Sequence, residues 1–426
     1  APNAGMSAPS PYFVDAVKDI IERAGVPLSA GGYRVYTTLD PALERAATDA
    51  LVNGTARVEA RGDYRHPKFN PAAPQNSDYL QGMVVAVDAA TGDVRALVGG
   101  RNYSASPFDR AVDGVRQPGS SFKPFVYAKA LEDGIPPNAI VPDTALAIPL
   151  PNGDIYKPRD DDGKYLGPMT IRDALVGSRN SVAVQLGQMV GMDSVAALAA
   201  RLGIQTPIRP FPSSAIGATE LHPLELVSAY TAFATNGQVV APRMVMRVED
   251  RTGRVVFGQP PSDPRQVLDP RVAFIVRDMM REVVTRGTGV AARRGVPEGV
   301  PIAGKTGTTN DNVDVWFVGM TPQLVAGVWM GFDKPRPIAL HVAGGSLAAP
   351  VWAEMMSRYY ATRSAGQFPA PGGLVLAELD RTSGRLAAPG SPADQQYLEF
   401  FLPGTEPAAM RGNPWNVAQW GALLGH

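Results

Sequence analysis

The stretch GSSFKP, residues 119–124, places two serines shortly before a lysine. Residues three apart on a helix share a face, so Lys123 faces Ser120 rather than Ser121. Pro124 lacks an N–H and is tolerated only near a helix start, which predicts that the helix begins close to Ser120. Free N–H groups and the positive helix end then point at the serine, where negative charge develops in acyl transfer. Ser120 is therefore the candidate nucleophile, and Lys123, when neutral, its candidate base.

An S-x-x-K pair alone is weak evidence, because about one such match is expected by chance in a chain of this size. A second element, GSRNS, contains Ser178 and Asn180. A hydroxyl and an amide two residues apart can relay a proton and hold a substrate amide. Taken alone, this S-x-N pattern is most often a helix cap or a loop.

The third element is GKTGTTN, residues 304–310, in which Lys305 is followed by hydroxyls and by a glycine, Gly307. A lysine, hydroxyl groups and a position that has no side chain suit an edge strand that binds an extended peptide and its carboxylate. A β-turn with a surface lysine fits less well, because the polar run lies between apolar segments. The leading residues of the three elements are 58 and then 127 positions apart. This order is typical of penicillin-binding proteins and serine β-lactamases.

The composition excludes several other classes of protein. The chain has 426 residues, which favours two or three domains. It has 40 basic and 40 acidic residues, and this balance argues against nucleic-acid binding. The absence of cysteine excludes disulfides, thiol catalysis and cysteine-bound zinc. The four histidines lie far apart, so we expect no metal site and no cofactor, and no apolar run is long enough to span a bilayer.

The hydrophobic pattern predicts an α+β domain. Helices that open with a capping residue and a proline, Ser10–Pro11 and Asp40–Pro41, are predicted at 10–25 and near 40–51. Further helices are predicted near 120–133, 171–200, 222–235 and 270–286, and the last opens with Asp269–Pro270. Two hairpins are predicted, one in 82–100 and one in 314–332 with its turn at Thr321–Pro322. Strands at both ends with helices between them indicate one sheet that distant segments complete. The stretch from about 376 is polar and turn-rich and is predicted to be an appended surface segment.

The chain resembles the transpeptidase part of class A penicillin-binding proteins, the bifunctional peptidoglycan synthases. The resemblance extends from about residue 33 to 408 and is therefore specific. The blocks that carry it, in the order of that family, are YTTLDPALERAA, RQPGSSFKPFVYAKALEDG, GPMTIRDALVGSRNSVAVQL, LHPLELVSAYTAFATNG, GKTGTTNDNVDVWFVGMTP, VAGVWMGFD and FFLPGTEP.

This resemblance implies a penicillin-binding-protein fold, with a five-stranded antiparallel sheet flanked by helices. It implies an N-terminal linker region with two helices at 1–80, a transpeptidase domain at 81–375 and a C-terminal tail segment at 376–426. The implied activity is D,D-transpeptidation, which cross-links peptidoglycan stem peptides ending in D-Ala-D-Ala through a serine acyl-enzyme that β-lactams also form. The implied location is extracytoplasmic, in the periplasm or on the outer face of the cytoplasmic membrane of a bacterium.

The resemblance also implies a role for each motif residue. Ser120 would be the acylated nucleophile and Lys123 its base. Ser178 would pass the proton to the leaving D-alanine, and Asn180 would orient the substrate. Lys305 would set the electrostatic field and help to anchor the substrate carboxylate.

The remaining implied contacts lie on the K-T-G segment. Thr306 and Thr308 would bind the carboxylate of the substrate, and Gly307 and Thr309 complete the implied substrate-binding set. The backbone N–H groups of Ser120 and Thr308 would form the oxyanion hole.

The sequence departs from the family pattern in three respects. The glycosyltransferase domain and membrane anchor of the family would precede residue 1, so neither glycan polymerisation nor membrane insertion is expected of this chain as given. Arg179 is the middle residue of SRN, where class A β-lactamases usually carry Asp. Asp160 stands where the family often has Asn, which leaves the charge of its loop open.

Three alternative functions remain to be weighed. A serine β-lactamase would need a glutamate in an E-x-x-L-N segment, and the sequence contains none. A D,D-carboxypeptidase differs only in that water, not an amine, takes the acyl group, so the sequence leaves this alternative open. A non-catalytic penicillin-sensing or cell-wall-binding module would not need the intact Ser120, Lys123 and Lys305. The pattern GTGVAA, 287–292, resembles a dinucleotide-binding loop but follows a helical stretch, which favours a helix C-cap.

Overall fold

The computed structural model describes residues 10–73, 77–381 and 383–408. Parts of the predicted linker region and of the C-terminal tail segment, including 409–426, lie outside the described residues. The helices are α1 (Pro11–Arg23), α2 (Pro41–Glu59), α3 (Lys123–Glu132), α4 (Ile171–Val176), α5 (Asn180–Val190), α6 (Met192–Arg201), α7 (Pro223–Ala229), α8 (Thr231–Ala234), α9 (Pro270–Thr285) and α10 (Gly344–Tyr360). The strands are β1 (Arg34–Thr37), β2 (Gln81–Asp88), β3 (Val94–Val98), β4 (Ile140–Asp143), β5 (Ile148–Pro149), β6 (Ile155–Tyr156), β7 (Gly167–Thr170), β8 (Gln238–Val239), β9 (Val245–Glu249), β10 (Val255–Gly258), β11 (Arg265–Gln266), β12 (Ala303–Thr308), β13 (Val315–Met320), β14 (Leu324–Gly331), β15 (Val375–Asp380) and β16 (Gln396–Phe401).

A five-stranded antiparallel sheet forms the centre of the fold, in the order β12-β13-β14-β2-β3. The two predicted hairpins supply four of its strands, and they meet where β14 pairs with β2, with Val328 opposite Val84. The K-T-G segment lies on β12, which is an edge strand. The predicted α+β fold with a five-stranded antiparallel sheet is confirmed.

The sheet is buried on both faces, which explains its continuous apolar strands. Side chains alternate across a strand, so neighbouring residues of β2 enter different cores. Val84 packs in the core that contains α2 and α10. Val85 packs in the larger core that contains α3, α5 and α9. The sheet is therefore held rigidly between two layers of helices, and its edge strand is fixed with it.

The helix starts predicted from proline and aspartate are largely confirmed. The Asp40 carboxylate accepts hydrogen bonds from the N–H groups of Ala42, at 2.9 Å, and Leu43, at 3.1 Å, at the start of α2. Asp269 caps α9 in the same way. Ser10 occupies the N-cap position of α1 but makes no side-chain cap bond there. Among the described helices, no single one is long and apolar enough to cross a membrane; α5 and α6 meet that test only together, with a 90° bend.

The C-terminal hairpin of β15 and β16 is attached to the rest of the molecule by a buried ion pair. Glu399 on β16 is fully buried, and its carboxylate accepts two hydrogen bonds, of 2.6 and 2.5 Å, from the Arg172 guanidinium on α4. The same guanidinium also contacts Asp278, at 2.9 Å, and Glu282, at 2.6 Å, of α9. The expectation of an appended surface segment is wrong for this hairpin, because a polar sequence can be buried wherever its charges find partners.

We predict that Arg172→Met lowers the free energy of unfolding by about 3–5 kcal/mol, because it leaves Glu399 buried without a counter-charge. Denaturant unfolding of the variant and of the unmodified chain measures this difference. Arg57→Ala is the control, because Arg57 is 54% exposed in its ion pair with Glu354, and we expect a change of about 0.5 kcal/mol or less. An equal effect of both substitutions would contradict the assignment.

Candidate active site

Ser120 lies in a single tight turn, Gly119–Phe122, that leads directly into α3. Lys123 is the first residue of that helix, with Pro124 second, so the predicted helix start is confirmed. Ser120 is only 4% exposed. Gly119 has a φ of +54°, and a Cβ there would lie 2.6 Å from the carbonyl oxygen of Thr308. Glycine at this position therefore allows the serine turn to approach the backbone of β12.

Lys123 is fully buried, and its amine contacts the S-x-N segment. Its Nζ donates to the backbone oxygen of Ser178, at 2.5 Å, and to Oδ1 of Asn180, at 2.6 Å, and lies 3.4 Å from the Ser178 hydroxyl. Burial lowers the pKa of Lys123 to about 8, while the nearby carboxylates of Asp161 and Asp160 act in the opposite direction. At pH 7 about a tenth of this amine is therefore neutral, far more than for an ordinary lysine.

Ser178 occupies a backbone conformation that usually requires glycine. Its φ is +59°, and it directly follows the C-cap of α4. The N–H of Ser178 donates to Leu175, at 3.1 Å, and the N–H of Arg179 donates to Ala174, at 2.8 Å. This pair of bonds is a Schellman helix end, in which the left-handed residue is most often glycine. Here a serine stands in its place, and its hydroxyl is presented to the two lysines.

Lys305 reaches the same hydroxyl from β12. Its Nζ donates to the Ser178 Oγ at 2.8 Å and to the backbone oxygen of Thr306 at 3.1 Å. Lys305 is fully buried, and burial lowers its pKa well below the ordinary lysine value, a direction that the neighbouring Lys123 reinforces. The three motifs therefore converge on one hydroxyl.

Gly307 explains how the strand comes close to the nucleophile. A Cβ at this position would collide with the backbone oxygen of Pro118 and lie 3.2 Å from the Ser121 Oγ. Side chains two apart on a strand share a face, so Lys305 points to the same side as this contact. The absence of a side chain at 307 therefore lets β12 pack against the serine turn with its lysine directed into the site.

The threonines of the K-T-G segment differ in their partners. The Thr306 hydroxyl is 2.7 Å from that of Thr288 and 3.4 Å from the Lys305 amine. The Thr308 Oγ1 accepts a hydrogen bond of 3.2 Å from the N–H of Gly344. The Thr309 hydroxyl accepts one of 2.9 Å from the N–H of Asp314, at the end of the strand. Their roles as substrate contacts stay predictions.

The backbone of Thr308 faces the open edge of the sheet. The N–H of Thr309 donates to the oxygen of Asp314, at 3.0 Å, so that pair is hydrogen-bonded. Pairs alternate in an antiparallel ladder, so Thr308, which pairs with Val315, directs its N–H and C=O away from β13. On this edge strand those groups point towards Gly119 and the serine turn. The oxyanion hole of the Thr308 and Ser120 N–H groups stays a prediction.

Two features of the site were not predicted from the sequence. Thr288, which bonds to Thr306, lies in the GTG pattern that we interpreted only as a helix end. Arg179 is surrounded by carboxylates, with Asp143 at 2.9 Å and Asp160 at 3.4 Å. The repeated aspartates of KPRDDDGKY were the available signal for this cluster, but a sequence does not show which distant cation they meet.

Comparison with known proteins gives a family match over most of the chain. Residues 82–357 match the family described as penicillin binding protein transpeptidase domain, and residues 370–410 match penicillin-binding protein 1A, C-terminal domain. Penicillin-binding protein 1A of Neisseria meningitidis is 38% identical over 364 residues, covering 81% of this chain and 45% of that protein. The chain thus spans about half the length of the curated relatives it matches.

Solved structures agree with this assignment. Penicillin-binding protein 1A from Haemophilus influenzae shares the fold, with a TM-score of 0.82 at 22% identity over 93% of this chain and 76% of that one. PonA1 from Mycobacterium tuberculosis, solved in complex with penicillin V, has a TM-score of 0.70 at 27% identity over 86% of this chain and 96% of that one. The resemblance noted in the sequence is confirmed: the chain belongs to the penicillin-binding protein transpeptidase family, with class A proteins as its relatives.

Proposed function

We propose that this chain is a D,D-transpeptidase that cross-links peptidoglycan stem peptides and is acylated by β-lactams at Ser120. One observation carries the proposal. The amines of Lys123 and Lys305 lie 3.4 and 2.8 Å from the same Ser178 hydroxyl, beside the turn that holds Ser120. A buried serine three residues before a lysine of lowered pKa, with a second such amine on the same Ser178 hydroxyl, is a constellation suited to acyl transfer.

In the proposed first step, Ser120 Oγ attacks the carbonyl carbon between the two terminal D-alanines. Its proton passes to Lys123 and, through Ser178, to the amine of the departing D-alanine. The C–N bond breaks and a serine ester forms. An amine of a second stem peptide then attacks the ester and loses a proton to the same base. The C–O bond of the ester breaks as the new peptide bond forms, and the base returns the proton to Ser120 Oγ.

The contacts of Lys123 suit this role as a base. A neutral amine has two N–H bonds and one lone pair. Its two close acceptors are the Ser178 oxygen and Asn180 Oδ1, at 2.5 and 2.6 Å. With both N–H bonds engaged there, the lone pair is left to accept the proton of Ser120.

The open edge of β12 supports binding of an extended peptide. Backbone groups at Thr306 and Thr308 face that edge and can pair with a substrate strand. The Lys305 amine and the hydroxyls of the two threonines are donors for the terminal carboxylate, whose negative charge would favour the ammonium form of Lys305. Such a substrate implies an extracytoplasmic location, as for cell-wall enzymes of this family.

We predict that Ser120→Ala abolishes labelling by a fluorescent penicillin, because the variant lacks the oxygen that forms the ester. Labelling is measured by gel fluorescence after denaturation. Ser121→Ala is the matched control: the Ser121 hydroxyl donates to the oxygen of Pro118, at 2.6 Å, and the control should still be labelled. Equal labelling of Ser120→Ala and of the unmodified chain would contradict the assignment of Ser120 as the nucleophile.

We predict that the second-order rate constant of acylation rises with pH and levels off above about 8, because only neutral Lys123 accepts a proton. Well below that value the rate should fall about tenfold per pH unit, as the neutral fraction does. Stopped-flow labelling between pH 6 and 9 measures the profile. A flat profile, or an unchanged rate in Lys123→Ala, would mean that another group is the base.

We predict that the penicilloyl-enzyme persists for hours, because the sequence has no E-x-x-L-N glutamate to activate water against the ester. Intact-mass measurement after removal of free penicillin follows the loss of the adduct. Release within seconds would favour a β-lactamase instead.

A further inference from the structure

A cluster of three buried ionisable residues, Asp143, Asp160 and Arg179, surrounds the Ser178–Asn180 turn without taking part in the proposed chemistry. Asp143 ends β4, Asp160 lies on the loop before β7, and Arg179 follows Ser178. Their side chains are 0%, 1% and 7% exposed. We refer to them as the acid–arginine cluster.

Asp160 binds the backbone of the catalytic turn directly. Its Oδ1 accepts a hydrogen bond from the N–H of Asn180, the first residue of α5. A carboxylate at a helix N-terminus satisfies an N–H that has no partner within the helix and faces the positive dipole end. Asn180 Oδ1 in turn accepts a hydrogen bond from Lys123, so Asn180 links Asp160 to the proposed base.

The other two members hold Asp160 in place. Arg179 contacts Asp143 at 2.9 Å and Asp160 at 3.4 Å, and Asp143 accepts hydrogen bonds from Ser181 and from the N–H of Leu166. The carboxyl groups of Asp143 and Asp160 also influence each other: the pKa of Asp160 is raised by its neighbour, and that of Asp143 is lowered. Burial and the neighbouring Asp143 carboxylate raise the pKa of Asp160 to about 6, although the Asn180 N–H opposes this.

The backbone of Ser178 explains why such a cluster is needed. A non-glycine residue in the left-handed region is strained and keeps that conformation only where its surroundings enforce it. The end of α4 restrains Ser178 and Arg179 from one side, because their N–H groups donate to the carbonyl oxygens of Leu175 and Ala174. The acid–arginine cluster restrains the two residues that follow Ser178: Arg179 through its guanidinium and Asn180 through its N–H.

The geometry points to Asp160 as a positioning residue for acylation: it holds Asn180, and through it the Ser178 turn, in the arrangement that brings Lys123 and Lys305 to one hydroxyl. This inference rests on the proposed function. Asparagine at 160 would keep the acceptor oxygen for the Asn180 N–H and could donate to Asp143, whereas alanine would do neither.

The test compares Asp160→Ala and Asp160→Asn in the full chain, with penicillin labelling and amide hydrogen exchange as readouts. We expect Asp160→Ala to lower the acylation rate constant about 100-fold, as loss of positioning does. We expect exchange of the Asn180 amide to become about tenfold faster in that variant, because its acceptor is gone. Asp160→Asn should restore both values to within about threefold.

The pH profile gives a readout that a merely structural residue would not move. The groups facing Lys123 are Asp161, Asp160, Arg179 and Asp143, together with Lys305 from β12. Those facing Asp160 are Asp143 and Arg179, and Tyr127 lies in the field of both carboxylates. Asp160→Asn removes one carboxylate that stabilises the Lys123 ammonium, so the midpoint of the acylation profile should move to lower pH.

Asp162→Asn and Asp162→Ala are the matched controls. Asp162 lies on the same loop and contacts Arg179 at 3.0 Å, but its side chain is 48% exposed. We expect both controls to keep the rate within about threefold and the midpoint unchanged. If Asp160→Ala behaves like these controls, or Asp160→Asn restores neither rate nor exchange, the inference is overturned.

Two further outcomes are also decisive. If Asp160→Ala does not fold, Asp160→Asn alone tests the inference. A retained acylation rate with a lowered midpoint of the pH profile supports it, and an unmoved midpoint overturns it. If the unmodified chain is not labelled at all, the proposed function fails. Exchange at Asn180 then still determines whether Asp160 holds the turn.

Discussion

Two buried lysines share one serine hydroxyl, and the rest of the site is arranged around that constraint. An ammonium group without a counter-charge is costly to bury, so the protein lowers the pKa of both lysines and surrounds Lys123 with oxygen acceptors. The carboxylates of Asp160 and Asp161 limit how far the pKa of Lys123 falls. The site therefore holds its amines close to the point where one can accept a proton, which is the condition that acyl transfer at a serine requires.

The central sheet makes this arrangement possible because it is packed on both faces. Its two helical layers fix β12 as a rigid edge strand, and Gly119 and Gly307 allow the serine turn to lie against it. Rigid elements hold functional side chains more accurately than loops do. The Ser178 turn is the exception, since a short helix end and a loop carry it. The surrounding charges then supply the rigidity that secondary structure supplies elsewhere.

Much of the fold could be predicted from local patterns. Asp40–Pro41 and Asp269–Pro270 specified two helix starts, and apolar runs specified the two hairpins of the sheet. The hairpin of β15 and β16 was harder, because its polar composition indicated a surface segment while Glu399 is buried against Arg172. The sequence position of a charged residue does not reveal that its partner lies 227 positions away. The domain boundaries at 80 and 375 stay predictions, although α2 packs in the same core as α10.

The sequence by itself determined which chemical groups are available: a serine and a lysine one helical turn apart, a second serine with an amide, and a lysine before a glycine. These are local properties, set by residue type and spacing. Only the tertiary structure decided that Lys305, 127 positions from Ser178, donates to its hydroxyl, and that Ser178 adopts a left-handed conformation. Such convergence depends on how the sheet and helices pack, and packing is the sum of many distant contacts that no short motif encodes.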